Sequence, residues 1–131
     1  MLTYFCPSCF QKIPGSTELC PFCETNISRW EENTSYEEQL VHALRHPISE
    51  VRMGAIISLG NKKYQEAAIP LAECALEYPN DTVQNLEILR SITSLLDSEP
   101  GQAAMQLLKS HPSSIIRERT TTLLTSNIKN D

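Results

Sequence analysis

His46-Pro47-Ile48-Ser49-Glu50-Val51-Arg52 is a turn that the chain writes three times. It returns as Tyr78-Pro79-Asn80-Asp81-Thr82-Val83-Gln84 and again as His111-Pro112-Ser113-Ser114-Ile115-Ile116-Arg117. The prolines lie 32 and then 33 residues apart. In each copy a ring side chain closes one helix and proline blocks its continuation. Ser49, Asp81 or Ser113 then stands where a side chain caps a new helix. Self-similarity at this period predicts a helical solenoid, an architecture that usually binds rather than catalyses.

Six helices follow from the periodicity. Thr34 or Ser35 begins the first, with Glu37 or Glu38 three residues on as in a capping box, and with Leu40, Val41 and Leu44 as its stripe. The second is expected to bury Val51, Ala55, Ile56 and Leu59 and to end at Gly60. The third runs from Glu66 to Leu76, with Pro70 in its early turns or at a kink. The fourth carries Val83, Leu86, Leu89, Ile92 and Leu96. The fifth starts near Pro100 and presents Ala104, Leu107 and Leu108; the sixth presents Ile116, Thr120, Leu123 and Leu124. The hairpins fall at about 35–60, 64–97 and 99–127, and the polar tail through Asp131 reads as an end cap.

The run from Leu40 to Arg52, followed by Ala55-Ile56, Leu59-Gly60 and Ala67-Ala68-Ile69-Pro70-Leu71, resembles HEAT-like repeats of the short bacterial kind named for phycobilin lyases. The second copy has Gln84 in place of the arginine, and the third has Thr120 in place of a small residue. The resemblance implies a short α-solenoid of three HEAT-like hairpins over 35–131. It also implies an arginine ladder, Arg52 and Arg117 pairing with Glu50, Asp81 or Glu118 of neighbouring repeats.

Upstream, Cys6-Pro7-Ser8-Cys9 and Cys20-Pro21-Phe22-Cys23 frame a loop of ten residues. Each short turn aims two sulfurs at one point, and four thiolates in a tetrahedron suit one structural Zn²⁺ with no open position. Iron and two disulfides are the competing readings. Residues 1–28 are too few to fold on a core of their own, so the ion must hold them. A strand over 10–14 and another over 15–19 are expected to form a hairpin. Residues 4–27 resemble the short zinc ribbon at the start of many bacterial and archaeal proteins. That family usually has Gly after the second Cys of each knuckle, whereas this chain has Phe10 and Glu24. A left-handed backbone there costs more without Gly, so one distorted knuckle is expected. Residues 29–34 read as a linker, from which Trp30 docks on the ribbon or the first helix.

Composition narrows the classes further. The 131 residues are 40% hydrophobic and 21% charged, as in a soluble globular chain. No apolar run approaches the roughly 20 residues of a membrane span, and the start lacks a signal-peptide pattern, so a cytoplasmic location is expected. Residues 1–33 hold two basic and four acidic side chains, and the other 98 hold nine and twelve. Neither part is a basic footprint for nucleic acid. His42, His46 and His111 come without a nucleophile or base pattern, and no glycine-rich phosphate loop exists, so no catalysis is expected. Cys74 reads as a small buried hydrophobe.

These readings converge on a non-enzymatic scaffold that binds a partner protein, with a homodimer as a further possibility. Candidate partner-contacting residues are Arg52, Arg90, Arg117, Arg119 and Trp30, with carboxylates expected on the partner. The alternatives are a nucleic-acid-binding ribbon, and a lyase-like or chaperone-like factor acting on a modified protein.

Overall fold

The structure, a computed structural model, describes residues 3–15 and 17–129, with side chains over 4–15 and 17–126. Two short strands, β1 (Thr3–Phe5) and β2 (Lys12–Pro14), pair antiparallel with Tyr4 opposite Ile13. Seven helices follow: α1 (Ile27–Asn33), α2 (Tyr36–Ala43), α3 (Ser49–Lys62), α4 (Ala68–Glu77), α5 (Thr82–Thr93), α6 (Glu99–Leu108) and α7 (Ser114–Lys129). A 3-10 turn, Gln65–Ala67, leads into α4. No described helix is long and apolar enough to cross a membrane.

From α2 onward the helices pack as successive pairs, α2 with α3, α4 with α5 and α6 with α7. Like helices of adjacent pairs also meet: α3 with α5, α5 with α7, and α4 with α6. One continuous core results, centred on Ile56, Leu59, Leu71, Ile88, Leu89, Ile92, Met105 and Leu108. Capping explains most helix starts. Ser35 accepts from the Glu38 N–H, Asp81 from Gln84 and Ser98 from Gly101. Pro70 falls in the first turn of α4 and Pro100 in that of α6, where no intrahelical N–H is lost.

Several expectations need correction. The hairpin is β1 with β2, not 10–14 with 15–19; within the latter Leu19 pairs in an isolated bridge to Asn26. The stretch 29–34, read as a linker, lies largely in α1, which Asn26 caps through the Arg29 N–H. Ser49 does not cap α3; its position is N-terminal but no side-chain cap bond forms. Gly60 does not end α3. The helix continues to Lys62 and stops where Lys63 turns left-handed, at φ 52°. Gly60 instead lets α5 approach: a Cβ there would sit 2.5 Å from Ser91 Oγ. Ser91 Oγ itself donates to the Ile56 carbonyl at 2.8 Å. Val51, Val83 and Leu107 point outward, Val83 being 73% exposed. Arg52, Gln84 and Asn85 take the inward positions. Ser16 and the tail side chains from 127 onward lie outside the described residues.

Candidate metal centre and its docking on the helices

Each Cys-Pro-x-Cys turn folds into the same knuckle. Phe10 N–H donates to the Cys6 carbonyl at 2.8 Å, and Glu24 N–H to the Cys20 carbonyl at 2.9 Å. Closing that ring forces a left-handed residue, and Phe10 (φ 65°) and Glu24 (φ 62°) both supply it. The expected distortion of one knuckle is absent: the two match despite lacking glycine, at about 1–2 kcal/mol each.

The knuckles bring the Sγ atoms of Cys6, Cys9, Cys20 and Cys23 within 4.8 Å of one another. Cys6 and Cys23 are 3.7 Å apart, and Cys9 and Cys20 are 3.6 Å apart. A tetrahedral ion bonded to sulfur at about 2.3 Å sets its ligands about 3.8 Å apart, so the donor set fits one metal ion. The same distances exceed a disulfide bond of about 2.05 Å, and all five cysteines are free thiols. Phe22 N–H points at Cys20 Sγ from 3.4 Å, the kind of donor that steadies a bound thiolate. Burial pushes the Cys9 thiol up to about 12. Hydrogen bonding to Thr25, side chain and backbone, draws Cys23 down to about 6. Four thiolates this close repel unless a cation sits among them, so loading the site releases protons.

The cluster is not tethered loosely. Ser8, inside the first knuckle, offers its carbonyl to His42 Nε2 at 2.7 Å. The Phe10 ring stacks on His42 at 4.8 Å and leans on His46 at the same distance. Phe5 meets His46 edge-on at 4.9 Å. Trp30, half-buried, sits 5.5 Å from the His42 ring, so this ring helps hold the ribbon to the first helical pair. Phe10 therefore bears the left-handed strain and the main docking contact together.

His46 and His111 build the turns from within. His46 Nδ1 accepts from Ile48 N–H at 3.0 Å, and His111 Nδ1 accepts from Ser113 N–H at 2.9 Å. Arg52 donates to the His46 and Pro47 carbonyls, and Arg117 repeats both bonds on His111 and Pro112. Burial, reinforced by the Arg52 charge, lowers the pKa of His46.

Arg52 goes further. It is 5% exposed, its Nε donates to Gln84 Oε1 at 2.9 Å, and its guanidinium lies 3.8 Å over the Tyr78 ring. The expected acidic partners are not used: among the described residues Arg52 makes no ion pair, and Gln84 at the matching position of the next turn receives it. Buried there, Arg52 is also out of a partner's reach. Arg117 and Arg119 are exposed, and Arg90, with an 82% exposed side chain, pairs with Glu87 at 3.9 Å. Gln84, which from the sequence only weakens the second copy of the repeat, is thus the acceptor for Arg52, and it stands five residues after its proline as Arg52 does. Cys74 is buried as expected, its thiol raised to about 11 by burial and facing the Leu44 carbonyl at 3.5 Å.

The arrangement is a cluster of four cysteines that could hold one metal ion, seated against the first of the helical pairs. No family model, curated protein or solved structure matches the chain.

Proposed function

We propose that the protein is a zinc-capped helical scaffold of HEAT-like repeats that acts by binding a partner protein, without catalysis of its own. The observation that carries this reading is the seating of the first knuckle, through Ser8 and Phe10, on His42 and His46. A metal module built into the end of a helical stack does a structural cap's work. When bound, zinc cross-links the two knuckles and fixes the surface that meets α2. Four thiolate donors leave no open position for a substrate. Among the buried polar side chains that resemble catalytic groups, His46 Nδ1, His111 Nδ1 and Arg52 Nη1 are engaged in holding turns, and His111 Nε2 meets the Ala75 carbonyl.

Native mass spectrometry of the chain, purified from its own host without chelator, tests the reading. One zinc per chain and a co-purifying protein are expected. Iron, or a metal-free chain with two disulfides, defeats the zinc assignment, and a chain that never carries another protein defeats the scaffold assignment.

A further inference from the structure

Helix α2 buries no residue completely. It packs on α3, whereas α4 packs on α5 and α6, and a trough of about 650 Å³ opens between α2 and α4. Val41, Leu44, Cys74 and Tyr78 form its apolar floor. Three carboxylates, Glu38, Glu73 and Glu77, stand around it against the single guanidinium of Arg45. None of the three has an ion-pair partner among the described residues. Glu73 and Glu77 are one turn apart on α4, where like charges disfavour the helix by a few tenths of a kcal/mol. A trough that is apolar below and acidic above complements a segment that is apolar on one side and cationic on its flanks.

We propose that this trough docks a helical segment of the partner protein that presents lysine or arginine beside apolar side chains. The proposal rests on the scaffold reading and gives the partner its chemistry, which is opposite in sign to that expected from inward arginines. The apolar face of the segment covers Val41 and Leu44, and its cations pair with Glu73 and Glu77 on α4 and Glu38 on α2. His42 lines the trough and also holds the Ser8 carbonyl of the metal knuckle, so the loaded ribbon sets one end of the docking site.

The test uses the full chain, isotope-labelled and purified without chelator, and a leucine–lysine amphipathic peptide of about 18 residues, long enough to form a helix. A leucine–glutamate peptide of the same length is the comparison. Saturable amide shifts are expected at Val41, Leu44, Cys74 and Tyr78 with the lysine peptide alone. The E73K/E77K variant is expected to weaken binding at least about tenfold. The D97K/E118K variant makes the same change in net charge at exposed positions that do not line the trough, and it is expected to bind as the original does. Equal loss in both variants, shifts that map elsewhere, or no saturable binding overturns the proposal. None of these outcomes touches the scaffold reading, which fails separately if mass spectrometry recovers no partner. Circular dichroism identifies any variant that is unfolded; E73Q/E77Q, which removes charge without reversing it, then replaces E73K/E77K with the same expected direction.

Discussion

Arg52 and Arg117 make the same two bonds to their own turns, yet among the described residues only Arg52 reaches a neighbouring repeat. Arg52→Ala strands the His46 carbonyl and Gln84 Oε1 in a buried place and frees the half-buried Pro47 carbonyl. A loss of about 2–4 kcal/mol is expected in urea unfolding, against under about 1 kcal/mol for Arg117→Ala at its exposed site. His46 gives a pH signature. Its pKa is lowered in the folded state, so the unfolded chain binds the proton more readily. Its contribution is therefore intact above the unfolded value of about 6.5 and declines as pH falls through and below it. The urea midpoint should drop from pH 7.5 to 5.5 more steeply in the original chain than in His46→Asn, whose amide oxygen can still accept from Ile48. At the knuckles, Glu24→Gly relieves a left-handed residue and should stabilise by about 0.5–1 kcal/mol. Phe10→Gly relieves the same strain but removes the ring on His42 and His46, and a net loss is expected. Both are read by thermal melting.

Most of the helices were legible because proline, capping residues and apolar spacing agree at their starts: Ser35 and Asp81 cap as their positions predict, and Pro100 falls in the first turn of α6, whereas Ser49 forms no cap bond and α1 was read as a linker. The clustering of the four cysteines was legible for the same reason, since a Cys-Pro-x-Cys spacing leaves few other shapes. What escaped was set by tertiary contact. Gly60 looked like a helix end but is the point where α5 comes closest. Gly60→Ala adds a methyl group against Ser91 and should destabilise by about 1–3 kcal/mol despite better helix propensity. Gly54→Ala, facing open space on the same helix, should gain about 0.5–1 kcal/mol. Equal effects in chemical denaturation would contradict the close approach. Val83 and Gln84 exchanged their expected sides because a buried guanidinium needs an acceptor more than the core needs another valine. The charge of the trough was likewise hidden, since Glu38 and Glu77 are 39 positions apart in the chain and meet only when α2 and α4 align.

At the scale of the whole molecule, ribbon and helices meet through Phe5, Ser8 and Phe10 on His42 and His46, so a metal that orders the ribbon is expected to support the helices as well. Stripping the metal with a strong chelator is expected to lower the melting temperature of the helical signal at 222 nm by about 4–8 °C, the shift that about 1 kcal/mol produces in a domain of this order. An unchanged transition would mean that the ribbon rides on the helices without supporting them. The interlock of Arg52 with Gln84 also restricts how such a chain can lengthen. Tandem duplication of the first helical pair would set one guanidinium against another in a closed space, whereas copying the first two pairs as a block preserves the alternation of donor and acceptor. Growth of this array is therefore easiest in steps of two, and an odd insertion must bring its own acceptor.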